Sequence, residues 1–280
     1  MLPLMRAIPC RLPDKWQRLR HRRAVTMLRM TEELFRTDAY LDACDATVVA
    51  VTPEGVVLDC TVFYPLGGGQ AGDSGTLVMP NGQTLNVADT RKEKATDGQP
   101  TGRIVHVPAP SQNEALAALQ PGMAVTARID MSRRQRLMRF HTASHLLCHL
   151  VGQPVNGCSI TADYARIDFH MTDPLDKAQL TEGLALLVAA NLPVVVGSVT
   201  DAELDAQPQL VKSMSVQPPR GSGHVRTIRI GGAAPNDPLI DLQPCGGTHV
   251  RTTAEIGAVA VTKIEKKSAT TRRVVLGFVA

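Results

Sequence analysis

Two short motifs constrain this chain more than anything else in it: His141-Thr142-Ala143-Ser144-His145 and Cys245-Gly246-Gly247-Thr248-His249, with Cys245 following His145 by 100 positions. Each offers two metal ligands, and together they supply N, N, S and N, the borderline-soft tetrahedral set that zinc takes. Histidines spaced i, i+4 project from one face of a helix, one above the other. A Cys and a His on either side of Gly-Gly suit a tight loop that folds a thiolate and an imidazole around one ion. A fold that uses both motifs must bring position 141 next to position 245.

A pair of helical histidines is by itself more often structural than metal-binding. Here Ala143 and Leu146-Leu147 mark the same helix face as buried, and two buried imidazoles need partners. A shared ion is therefore expected on His141, His145, Cys245 and His249. Position 142 is Thr, so this is not the HExxH motif in which a Glu acts as general base. His149 has rotated round the helix and is expected at the surface or outside the ligand set. Asp241, just upstream of Cys245, is either an acceptor that orients an imidazole or an ordinary turn residue.

Composition narrows the class. The chain has 280 residues, 44% hydrophobic, enough for one large domain or two ordinary ones. Aromatics are only 3%, which argues against base-stacking platforms as the main nucleic-acid contact. No apolar run is long enough to span a membrane, so no membrane partner is expected. Six cysteines without framework spacing read as reduced thiols in a cytoplasmic protein, with Cys245 the exception by context.

The net charge of +4 is unevenly spread. Residues 1–29 hold seven Arg and one Lys against one Asp, so this segment carries +7 and the rest −3. It lacks a long apolar core and is a poor secretory signal. It is Arg-rich and acid-poor, as transit peptides are, but it has three prolines and few hydroxyls. The favoured reading is a basic extension, disordered or created by an upstream start, with Met27 or Met30 as the true beginning. A nucleic-acid-binding arm is the lesser alternative.

Along the chain, 30–129 reads as short strands and turns. Two β-rich runs flank Pro53-Glu54-Gly55, and two more flank Asn81-Gly82. Between them lies a loop, Gly67-Gly68-Gly69-Gln70. That pattern predicts a small antiparallel barrel. The loop is either a flexible turn or a place where backbone N–H groups approach a ligand closely. Without GK[ST] it is not a nucleotide P-loop.

The texture changes at Asp130, a candidate N-cap for a helix over 131–151 ending near Gly152. Further strands are expected at 154–170, 192–200, 224–232 and, twice, in 255–279. A helix is expected over 175–191, and a loop over 207–224. The fold class is α+β, with helices on an antiparallel sheet over 130–280. Arg133, Arg134, Arg136 and Arg139 are either a solvated helix face or a positive entrance suited to RNA phosphates. Lys263, Lys266, Lys267, Arg272 and Arg273 form a second basic cluster.

Taken together, these residues resemble the alanyl-tRNA editing family, meaning freestanding AlaX proteins and the editing region of alanyl-tRNA synthetase. The matching pieces occur in order. They are Phe63-Tyr64-Pro65 with Gly67-Gly68-Gly69-Gln70, His141-x3-His145, Arg166-Ile167-Asp168-Phe169, Cys245-Gly-Gly-Thr-His249 and Ser268 to Arg273. Leu66 stands where the family usually has an acidic residue. The resemblance implies a barrel domain carrying the glycine motif (30–129) and an α/β two-layer zinc-containing editing domain (130–280); the sequence leaves the oligomeric state open, with a monomer favoured.

It also implies an ATP-independent hydrolase. The substrate would be alanine tRNA wrongly charged with serine, with glycine as a further candidate and the preference between them left open. An alanine pocket cannot strongly reject serine, whereas a second site that hydrogen-bonds the serine hydroxyl can reject alanine by on the order of 10⁴-fold. Ser159 and Thr161 are the candidates to receive that hydroxyl. Gly67, Gly68, Gly69, Gln70, Arg133 and Arg134 are the other expected substrate contacts. Three zinc ligands would leave an open fourth position, while four would close the site and leave the ion to change coordination or organise the pocket. The alternatives are a zinc hydrolase of small esters or amides, and an RNA-binding module with a structural zinc.

Overall fold

The structure, a computed structural model, describes residues 8–9, 30–214, 217–218, 223–232 and 238–279. The expected basic extension therefore lies almost wholly outside the described residues. The chain divides into two compact units, Met1–Leu66 with Gly72–Met131, and Gly67–Ala71 with Ser132–Ala280.

The first unit is a closed six-stranded antiparallel barrel. Its strands are β1 (Ala43–Thr52), β2 (Gly55–Leu58), β3 (Gly75–Val78), β4 (Thr84–Lys94), β5 (Pro100–Pro108) and β6 (Ala124–Ile129). Their order is β1-β2-β5-β4-β3-β6, and β6 returns to pair with β1. Closure leaves no bare edge. The expected hairpins are present: Pro53-Glu54 joins β1 to β2, and Asn81-Gly82 lies between β3 and β4. Inward residues such as Val48, Leu58, Phe63, Leu77, Leu85 and Ala127 form one apolar cluster.

The second unit opens with α1 (Met131–Val151). It holds 21 residues without Gly or Pro, so nothing in it breaks the helix. It stops where Gly152 turns left-handed, φ 65°, and donates to the Cys148 carbonyl at 3.0 Å. A four-stranded antiparallel sheet follows. It contains β7 (Val155–Ile160), β8 (Ala165–His170), β12 (Val259–Ser268) and β13 (Thr271–Phe278), in the order β7-β8-β13-β12. Helix α2 (Lys177–Ala189) is capped by Asp176, whose carboxylate accepts from Gln179 N–H, and packs on β12. Phe140 of α1 stacks on Phe278 of β13 with centroids 4.0 Å apart.

A second, three-stranded antiparallel sheet comprises β9 (Val194–Thr200), β10 (His224–Gly231) and β11 (Leu239–Pro244). Sequence reading left β11 out. Its strand places Asp241 opposite Ile230 on a buried face, so the turn reading of Asp241 does not hold. The stretch expected to be a loop from 207 begins with a 3-10 turn, Pro208–Leu210, whose Leu210 packs with Leu204 and Val225.

Candidate metal centre

Helix α1 is buried on every side from Phe140 to Cys148, and that stretch carries His141 and His145. The loop after β11 carries Cys245 and His249. One ligand atom from each of the four lies within 4.8 Å of all the others. Cys245 Sγ is 3.5 Å from His141 Nε2 and 3.3 Å from His249 Nε2. Both motifs therefore meet in one buried cluster that could hold a metal ion.

Each imidazole is fixed through its Nδ1. His141 Nδ1 lies 2.7 Å from Gln70 Oε1, His145 Nδ1 lies 2.7 Å from Asp241 Oδ2, and His249 Nδ1 lies 3.1 Å from Thr142 Oγ1. An Nδ1–H donated to a fixed acceptor sets the tautomer and aims the other nitrogen as a lone pair. The acceptors are themselves held. Gln70 Oε1 also accepts from Thr248 N–H at 3.1 Å, and its Nε2 donates to Thr248 Oγ1 at 2.9 Å. Thr142 Oγ1 donates back to the Met138 carbonyl at 3.0 Å.

Two glycines are required by close approach. A Cβ on Gly247 would sit 2.2 Å from His141 Cε1, so the imidazole packs on bare backbone. Gly69 has φ 85°, and a Cβ there would sit 2.1 Å from Cys158 Sγ. The glycine loop lies along the edge of β7: Ile160 N–H donates to the Gly69 carbonyl at 2.7 Å, and Ala71 N–H donates to the Ile160 carbonyl at 2.9 Å. Gly67 and Gln70 exchange backbone bonds at 3.1 and 3.0 Å. The Gly68 carbonyl faces the Cys158 thiol.

Burial opposes ionisation of the Cys245 thiol, but the imidazoles of His141 and His249 outweigh it and hold the thiol well below its ordinary value. Burial pushes His249 down to about 3. Burial also disfavours charge on His145, yet its bonds to Asp241 and Cys245 raise it to about 9. Asp241 is held at about 2 against burial, chiefly by His145 and then by Lys212. A thiolate beside imidazoles is the donor set that a thiophilic divalent cation takes.

Gln70, expected among the substrate contacts, spends its amide on His141 and Thr248. Ser159 pairs with Arg166 and so projects from the face of β7 opposite Cys158. The Thr161 hydroxyl closes its own turn with Tyr164. Arg134 is fully buried, not displayed at an entrance, because it shares the helix face of Leu137, Met138 and His141. Arg133 is half-buried. Arg136 and Arg139 donate to the carbonyls of Ala162 and Ile256, and both lie over the Phe278 ring. His149 is exposed, as expected. Sequence reading missed Thr142, Thr248, Gln243 and Lys212. The first two lie inside the motifs and were the findable ones.

Comparison with known proteins places this architecture. Residues 225–275 match the family Threonyl and Alanyl tRNA synthetase second additional domain, and residues 28–133 match tRNA synthetases class II (A). An alanyl-tRNA editing protein AlaX-M from Saccharolobus solfataricus is 31% identical over 249 residues, covering 88% of this chain and 98% of the relative. The AlaX-M protein of Methanosarcina barkeri is 32% identical over 254 residues, covering 87% and 97%. An alanine–tRNA ligase of Pyrobaculum arsenaticum is 32% identical over 252 residues, 84% of this chain but 25% of the ligase. The class is thus that of synthetase-related additional domains, and within it the chain belongs to the alanyl-tRNA editing protein family. Among the described residues, no helix is long and apolar enough to cross a membrane.

Proposed function

We propose that the chain is a trans-editing hydrolase that removes serine from mischarged alanine tRNA, with glycine as a further candidate, and with zinc held by His141, His145, Cys245 and His249. The observation that carries the reading is the convergence of these four side chains, with each imidazole fixed at Nδ1. A tetrahedral zinc with Zn–S of about 2.3 Å and Zn–N of about 2.0 Å has S···N edges of about 3.5 Å. The Sγ···Nε2 separations of 3.5 and 3.3 Å fit that figure.

Held by all four ligands, zinc would have no open position, and it would supply a fixed positive charge that organises the pocket around an ester carbonyl. The chain's own residues do the rest. Gln70, Asp241 and Thr142 keep three imidazoles in the liganding tautomer. No carboxylate in either motif is placed as a general base. An aminoacyl ester is already activated, so positioning and modest polarisation suffice. Exposed Lys266 and Lys267 offer charge to phosphates, a contact that weakens with salt.

The test is deacylation of Ser-tRNA and Ala-tRNA, both charged on alanine tRNA, with and without a zinc chelator. Rapid, chelator-sensitive loss of serine with alanine spared is expected. Bound zinc and bound tRNA without turnover would instead establish a binding module with a structural metal.

A further inference from the structure

The Asp241 carboxylate is completely buried, and its two oxygens are divided between different partners. Oδ2 accepts from His145 Nδ1 at 2.7 Å and from Gln243 Nε2 at 2.8 Å. Oδ1 accepts from the ammonium of Lys212 in an ion pair. Lys212 is 26% exposed at its side chain against 0% for Asp241. Its backbone is anchored as well: the Lys212 carbonyl accepts from Val155 N–H at 2.9 Å, and Met214 N–H donates to the Val155 carbonyl at 2.8 Å. The lysine is thus tied by its main chain to the first residue of β7 and by its side chain to β11.

We propose that Lys212 is a positioning residue for the metal centre, pinning Asp241 so that the His145 ring is held as a ligand. This rests on the metal-binding reading above. A histidine that binds metal is neutral. Gln243 gives Asp241 a hydrogen bond but no charge, so Lys212 is then the one cation among the carboxylate's described partners. Without it a buried carboxylate is uncompensated, and such a group turns away from its place. That movement releases the acceptor that fixes His145 Nδ1. A carboxylate anchored from both sides also has one rotamer, which fixes the imidazole plane. An alternative use of a partly exposed lysine, contact with an RNA phosphate, would leave the metal untouched.

The test uses the full chain and the metal alone as probe. Zinc affinity is read by chelator competition, and ligand geometry by the ligand-field spectrum of the Co2+-loaded protein. Lys212→Met is expected to weaken zinc about tenfold, at the low end of what losing support to a ligand costs, and to shift the Co2+ bands. Lys212→Arg should retain most of the affinity. The Lys212→Met/Asp241→Asn double variant should bind no more weakly than Asp241→Asn, since residues acting through one another are not additive. Lys212→Gln, which keeps a donor and drops the charge, repeats the test should Lys212→Met fail to fold. Unchanged zinc affinity and Co2+ spectrum in either variant would overturn the proposal, as would additive losses. Weakened tRNA binding with an unaltered metal site would assign Lys212 to RNA instead. Wild-type protein that takes up neither metal would overturn the metal reading itself.

Discussion

The two units each bury histidine, and they treat it differently. In the barrel, His106 is fully buried with both ring nitrogens bonded to nearby protein. Nε2 lies 2.8 Å from Thr61 Oγ1, and Nδ1 lies 3.0 Å from the Val56 carbonyl. The ring meets Phe63 edge-on at 5.0 Å. In the second unit, His141, His145 and His249 spend Nδ1 on Gln70, Asp241 and Thr142, while the Nε2 atoms of His141 and His249 turn towards the Cys245 sulfur. Burial is common to both sets and marks neither as functional. The difference is in the second nitrogen. A ring satisfied at both ends is part of the wall, and a ring fixed at one end and aimed at other ligands is a donor.

The largest expected effect tests the donor side. His141→Ala or Cys245→Ala should abolish both deacylation and zinc uptake, measured as released amino acid and as bound metal per chain. Full activity in a demonstrably zinc-free Cys245→Ala protein would remove the distinction between the two sets of histidines.

The wall side is tested by pH. Burial holds His106 at about 4, below the 6.5 of a free imidazole. The unfolded chain therefore takes the proton first. The stability of the barrel is complete above pH 6.5 and falls as pH drops towards 4, by about 3 kcal/mol. Chemical denaturation of the barrel between pH 7 and pH 4 should show this limb, and His106→Leu should flatten it while leaving zinc affinity unchanged. An identical slope in the variant would assign the titration elsewhere.

Gly247→Ala sharpens the comparison without removing a ligand. The added methyl collides with His141, so zinc affinity should fall by about 10–100-fold, the range typical of lost support around a ligand. Chelator competition reads it, and wild-type affinity would mean that the ring is not held where the backbone allows.

The smallest effect is a control on the four-stranded sheet. Arg273 grips Asp168 at 2.7 and 2.9 Å, and holds its carboxyl below the usual range. Arg273→Ala should cost about 1 kcal/mol of stability, since the pair is only partly buried, and should leave metal uptake alone. Asp168 contributes above the ordinary carboxylate pKa and ceases to do so as pH falls through its depressed value, so the variant's deficit in thermal unfolding should shrink at acid pH. Lost metal binding would show that this pair supports the centre.

Much of this was legible in the residues. Helix 131–151 could be read to its ends because it is long, free of Gly and Pro, and bounded by Asp130 and Gly152. The barrel hairpins were legible because Pro-Glu-Gly and Asn-Gly interrupt alternating β-rich runs. The four ligands were legible because their types and spacings are chemically unusual. Strand Leu239–Pro244 was not, since it is short, the residue it buries is the polar Asp241, and it is completed by pairing with β10. Arg134 was misjudged as a surface charge because spacing places it on a face without saying whether that face is covered.

By itself, the sequence determined the local events: where the chain turns, which runs are helix or strand, and which side chains have the chemistry to hold a metal. These depend on near neighbours and on intrinsic residue types. Only the tertiary structure decided which partner each donor meets. Gln70 stands 71 positions from His141, Asp241 stands 96 from His145, and Thr142 stands 107 from His249. Contacts at such separations are set by how elements pack, not by any pattern within one element. The physical reason is that a buried polar atom must be satisfied by whatever the fold brings beside it.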